Sequence, residues 1–273
     1  MTVIDCKKIA DSWLEDIEKQ VDTFYENNHR FPKIVTIIAN EDSASERYVR
    51  NKMKTCERVG IQHEEIYYKE KNENTLINII EQLNIDTNID GIMLQMPVFS
   101  CINAKKVIDK IDPKKDIDCL TSSNIGKLAL NTSFFMPATV AGIMYLLEYC
   151  KVELSGQSVL IRGRSDIVGK PLALVMINAG ATVEVRNSHS QSYSYEDSSR
   201  YDIVIDATGQ ENTHNEKWYC NYYIDVTTLI KNNKLCGSLK NFYAPRYFTP
   251  VPKGIGLLTC AGLAANVMKL INN

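Results

Sequence analysis

Apolar runs and helix-period segments alternate along this chain, the pattern of parallel βα units. Residues 34–39 read as a buried strand, 45–59 as an amphipathic helix closed by Gly60, 65–68 as a short strand and 75–83 as a helix. A strongly apolar strand over 90–96 stops at Pro97, and a helix over 104–111 ends at Asp112-Pro113. An irregular stretch over 114–137 and a helix over 140–149 lead into a second series. It holds a strand at 158–162, a glycine-flanked turn, a helix at 169–178, and strands at 182–185, 202–207 and 223–226, together an open sheet. The domain change is expected between the two series. A last helix over 261–271 follows a Pro/Gly-rich segment, and its pattern alone lets it pack on either domain.

The 273 residues suffice for two modest α/β domains. A net charge of -2, from 31 basic and 33 acidic residues, provides no overall field for nucleic acid or an anionic membrane. The eight cysteines are scattered without a CxxC pair, so reduced thiols and no metal are expected. Residues 1–11 carry Asp5, Lys7 and Lys8 among the apolar positions, unlike a signal peptide, and no run approaches the ~20 apolar residues of a membrane span. A cytoplasmic protein is expected.

Chemistry concentrates in two places. After the strand at 158–162 comes Gly163-Arg164-Ser165-Asp166-Ile167-Val168-Gly169, then a helix with Pro171 in its first turn. Glycines there allow close approach of a pyrophosphate, and the helix N-terminus adds partial positive charge; a plain βα turn reads the same way. The next strand ends Val185-Arg186-Asn187-Ser188, without the carboxylate that grips a ribose 2′-hydroxyl. Arg186 and Ser188 suit a 2′-phosphate, or Arg186 is a solvated strand-end charge. Thr208 and Gly209, at a third strand end, are small enough for a nicotinamide ribose.

The second place lies in the first half. Tyr48 and Lys52 are four apart on one helix face, where an amine can move a proton and a phenol can stack on a planar ligand; solvated surface positions would show the same spacing. Gln95 stands at the C-terminal end of an apolar strand, where parallel sheets bind ligands, which favours a binding role over the alternative of bonding a loop backbone. Asp116 and Asp118 belong either to a charged loop or to a carboxylate site for paired N–H donors.

Taken together, the segments around Tyr48 and Lys52, Asp90–Pro97, Lys115–Asp118, Gly163–Gly169 and Thr249–Pro252 resemble the methylenetetrahydrofolate dehydrogenase/cyclohydrolase family, in order over nearly the whole chain. The resemblance implies an N-terminal α/β folate-binding domain (1–138 plus 254–273), a Rossmann-like parallel-sheet nucleotide domain (139–253), and a cleft between them. It implies Lys52 as the catalytic lysine, Tyr48 as a stacking and hydrogen-bonding residue, Gln95 as the group orienting lysine and folate, and Asp118 as the pterin anchor. Pro252 and Gly254 would border the substrate. Gly163, Arg164, Ser165, Ile167, Val168, Gly169, Arg186, Ser188, Thr208 and Gly209 would hold NADP, with NAD as the second choice. The activity implied is oxidation of 5,10-methylenetetrahydrofolate to the methenyl form and its hydrolysis to 10-formyltetrahydrofolate, by a homodimer. The rivals are a generic NADP-dependent oxidoreductase and a non-catalytic folate-binding protein. The chain departs from the family pattern at Cys6, Cys119, Val140, Thr227, Ser238 and Lys253.

Overall fold

The structure, a computed structural model, describes residues 1–187, 190, 199–210, 219–231, 234–238 and 245–272. Ser188, expected at the nucleotide site, lies outside them. The chain divides into two compact units: Asp11–Ala138 with Cys260–Asn273, and Met1–Ala10 with Thr139–Thr259.

The first of these is built on a three-stranded parallel sheet of β2 (Lys33–Ile38), β3 (Gln62–Tyr67) and β4 (Gly91–Gln95), with β2 in the middle. Strands buried on both faces read as continuous apolar runs, and β2 and β4 are buried almost throughout. Their residues alternate between two cores. Ile34, Ile38 and Met93 pack with residues of α1 (Cys6–Asn28), α2 (Ser43–Arg58) and α8 (Ile255–Ile271). Val35, Ile37, Ile92 and Leu94 pack with α3 (Glu73–Ile85) and α4 (Ala104–Ile108). Asn72 and Asn103 cap α3 and α4 with their side-chain oxygens.

The stretch over 114–137 is not wholly irregular. It contains α5 (Ser122–Ala129), capped by the Thr121 hydroxyl accepting from Asn124 N. The last helix likewise begins at Ile255 rather than at 261.

The second unit holds a six-stranded sheet in the order β1 (Thr2–Val3), β11 (Tyr247–Phe248), β8 (Tyr222–Asp225), β7 (Ile203–Asp206), β5 (Ser158–Arg162) and β6 (Thr182–Arg186). Every pair in it is parallel. The strand order reverses at β5, which has β6 on one side and β7 on the other, and ligands of open α/β sheets bind at such a switch point. Helices α6 (Ala138–Tyr149) and α7 (Gly169–Asn178) also belong here, with a small hairpin of β9 (Leu229–Lys231) and β10 (Lys234–Cys236). The first ten residues, expected with the folate-binding domain, group with this unit because β1 pairs with β11.

Candidate functional site

Helix α2 turns Val49, Met53 and Cys56 into the core, each at most 2% exposed, which leaves Tyr48 and Lys52 on the flank of that face. The Lys52 stem is largely covered while its Nζ reaches a polar cluster from two other segments. Nζ is 3.2 Å from Met93 Sδ, 3.5 Å from Gln95 Oε1 and 3.8 Å from Asp118 Oδ2. Met93 and Gln95 are two apart on β4 and therefore on one face of the sheet. Gln95 is buried, and its Nε2 donates to Met96 O at 2.6 Å, so the amide is fixed with its oxygen toward the lysine. The same side chain thus bonds a neighbouring backbone carbonyl and meets the lysine.

Tyr48 lies one turn before Lys52 and is 45% exposed. No side-chain hydrogen bond joins the two. The thiols of Cys56 and Cys260 stand near the lysine, and burial raises both, Cys56 to about 12, so they stay protonated.

The two aspartates have separate tasks. Asp116 is 1% exposed and accepts from Thr121 N at 2.8 Å, Asn124 Nδ2 at 2.9 Å and Leu120 N at 3.2 Å, which ties it to the start of α5. Burial raises its carboxyl above the ordinary range, against the lowering by those donors. Asp118 keeps 18% of its side chain exposed and faces the Lys52 ammonium. The segment lies along β4: Ile92 N donates to Lys115 O, and Ile117 presses so closely on Gly91 that a Cβ there would meet it at 2.3 Å.

In the other unit, Gly163 directly follows β5 and has φ +107°. A Cβ on it would sit 2.5 Å from Ala207 O, and one on Gly169 would sit 2.2 Å from Gly163 O. The turn is therefore a cradle of bare backbone at the start of α7, and such a turn fits a pyrophosphate. The Ser165 hydroxyl accepts from Val168 N and Gly169 N, holding the turn's own shape, while Arg164 and Ile167 are exposed. Arg186 Nε donates to Glu184, whose other oxygen accepts from the Tyr201 hydroxyl, so this guanidinium is paired rather than simply solvated. Pro252 and Gly254 also belong to this unit, and Gly254 is required by Pro250 O, 2.0 Å from where its Cβ would be.

Thr208 and Gly209 rest on a buried network. Asp206, with no exposed surface, pairs with Arg162 at 2.6 Å and accepts from Thr208 N, Thr208 Oγ1 and the Tyr223 hydroxyl. Asp225 accepts from Ser238 N at 2.8 Å and Thr227 N at 3.0 Å, and Thr227 Oγ1 accepts from Gly209 N at 3.2 Å. Thr227 and Ser238, two departures from the family pattern, are thus the residues that join Asp225 to this strand end. Burial, with the negative charge of Asp206 second, raises Asp225 to about 6.

The family model of the tetrahydrofolate dehydrogenase/cyclohydrolase catalytic domain matches residues 4–118, and that of its NAD(P)-binding domain matches 137–273. The chain belongs to the tetrahydrofolate dehydrogenase/cyclohydrolase family. It is 35% identical over 274 residues to the bifunctional protein FolD of Dechloromonas aromatica, covering 98% of this chain and 96% of that relative. The FolD methylenetetrahydrofolate dehydrogenase/cyclohydrolase of Campylobacter jejuni superposes with a TM-score of 0.91 at 29% identity, over 100% of this chain and 99% of that one. The methylenetetrahydrofolate dehydrogenase-cyclohydrolase of Trypanosoma brucei, solved with NADP and an inhibitor, gives 0.90 at 27% identity, over 99% and 97%. Met93, whose Sδ meets the lysine, carries no signal of its own in the sequence. Its position two residues before Gln95 was the available signal.

Proposed function

We propose that the chain oxidises 5,10-methylenetetrahydrofolate with NADP and hydrolyses the methenyl product to 10-formyltetrahydrofolate, with folate at Lys52 and the dinucleotide at the Gly163–Gly169 turn. The observation that carries this is the Lys52 amine flanked by Gln95 Oε1 and Asp118 Oδ2, an arrangement of donor and acceptors suited to a polar heterocycle. NADP held at the Gly163–Gly169 turn would supply the acceptor for the hydride lost from the one-carbon bridge. Water adds to the resulting methenyl carbon, and the adduct loses a proton as the ring opens. Lys52 donates a hydrogen bond to the oxygen of that adduct and passes protons to and from it. Gln95, its amide fixed by Met96 O, orients the lysine; the exposed Tyr48 ring offers a face on which the planar substrate stacks.

Asp118, with acceptor capacity left beyond the lysine, takes the paired N–H donors of the pterin. Arg164, exposed on the turn, and Arg186, at the end of β6, favour the 2′-phosphate of NADP over NAD. The same reading includes a homodimer through the nucleotide domains, supported by the resemblance and by exposed Ile230 and Leu235 on the β9–β10 hairpin. It includes the cytoplasm as location, supported by eight free cysteines. No described helix is long and apolar enough to cross a membrane.

Lys52→Ala tests the central assignment. Loss of the general acid–base group predicts a fall in methenyltetrahydrofolate hydrolysis of at least about 100-fold, with NADP binding retained. Full hydrolysis by that variant, followed at the methenyl chromophore, would overturn the role given to Lys52.

A further inference from the structure

Asp118 is presented to Lys52 by a backbone under strain. The next residue, Cys119, has φ +56°, a left-handed conformation unfavourable for a non-glycine residue. Neighbouring groups must hold the segment there. On one side is the Asp116 hub at the start of α5. On the other is Asn266 of α8, which has no exposed surface. Its Nδ2 donates to Ile117 O at 2.9 Å and to Met136 O at 2.8 Å, across 149 and 130 residues of sequence.

The energetics of this amide are informative. Two neutral hydrogen bonds stabilise a fold modestly, whereas a buried acceptor without a donor destabilises it. The Oδ1 of Asn266 is buried and meets no donor among the described residues. The same amide satisfies two carbonyls that would lose this donor without it, so it both stabilises the segment and sets its direction. One of its bonds fixes the carbonyl immediately preceding Asp118.

We propose that Asn266 is a positioning residue of the folate site, acting through the Ile117 carbonyl to hold the Asp118 carboxylate toward the ligand and Lys52. The proposal rests on the role given to Asp118 above. The test is a double-mutant cycle in the full chain, with Asn266→Ala, Asp118→Asn and the pair, read as steady-state KM for methylenetetrahydrofolate and for NADP. Asn266→Ala is expected to raise the folate KM about tenfold, with kcat and the NADP KM changed less than about twofold, and to add nothing in the Asp118→Asn background. Leu263→Ala, a core truncation in the same helix, is the control for general loosening and is expected to leave the folate KM unchanged. Should Asn266→Ala fail to fold, Asn266→Leu keeps the volume without the donors and carries the same expectation.

An unaltered folate KM in the Asn266 variant overturns the proposal, as does an equal rise in both backgrounds or a matching rise in Leu263→Ala. If Asp118→Asn alone leaves the folate KM unchanged, the reading of Asp118 has failed instead, and the two failures are told apart.

Discussion

Replacing Gly163 with alanine asks two things of the nucleotide turn at once. The residue would have to keep φ at +107°, and its methyl group would start 2.5 Å from Ala207 O, 2.8 Å from Ala207 C and 3.2 Å from Thr208 N. A backbone held in such a region costs about 1–3 kcal/mol, and forcing a methyl group into filled space costs about 1–3 kcal/mol more. The obstructing atoms are main chain, so no rotamer change relieves them; β5 and β7 must separate where they end at Arg162 and Asp206. That displaces both the Gly163–Gly169 turn and the Thr208–Gly209 strand end. Gly163→Ala is therefore expected to lower stability by about 2–6 kcal/mol, the sum of those two ranges, and to weaken NADP binding at least about tenfold. Hydrolysis of methenyltetrahydrofolate without nucleotide is expected to persist, because Lys52, Gln95 and Asp118 all belong to the other unit. Urea unfolding, a nucleotide titration and a two-wavelength assay of reduced nicotinamide and methenyl absorbance measure the three quantities. An alanine variant with the wild-type unfolding midpoint and NADP affinity would refute the steric argument.

The Asp225 carboxyl, raised to about 6 by burial and by Asp206, makes a signed prediction about pH. The folded chain keeps a proton that an unfolded aspartate, with a pKa of about 3.9, releases, so this group's contribution is full below about pH 4 and falls as pH rises to about 6. Asp225→Asn cannot ionise, so its stability relative to wild type is expected to improve by about 3 kcal/mol between pH 4 and pH 7; parallel urea midpoints would contradict this. Cys119, at φ +56°, predicts an inverted order of substitutions: Cys119→Gly at least as stable as Cys119→Ala, where an ordinary site favours alanine by about 0.5–1 kcal/mol. Thermal midpoints of the two variants compare them directly.

Elements stabilised by their own pattern were legible in the sequence. The bounds of β5 and α7 coincide with the expected strand and helix, since an apolar run, a glycine turn and Pro171 mark them locally. Helix α1 was not read, although Ile9, Leu14, Ile17 and Val21 space its buried face. Helix α5 and strands β1 and β11 carried weaker signals. The former is short and held by Asp116 and Thr121, and the latter are two-residue strands that exist through pairing. At the site, helix spacing and a strand end drew attention to Lys52 and Gln95, the family resemblance singled out Asp118, and the fold brings the three polar ends together. Composition could not separate Asp116 from Asp118, because the difference lies in which one the start of α5 captures. Asn266 gave no signal, since a polar residue in an apolar helix does not disclose carbonyls 149 and 130 residues away.

The division of the chain bears on how it folds as it is made. Residues 11–138 lack part of their core until Ala261, Leu263, Ala264, Val267 and Met268 are available, because these complete the apolar cluster around Ile34, Ile38 and Met93. A nascent chain synthesised from its N-terminus thus carries an unfinished, sticky half past the translation of the entire nucleotide unit. Chaperone dependence, and sensitivity to premature stop codons within α8, should be far greater than the modest size of either unit suggests.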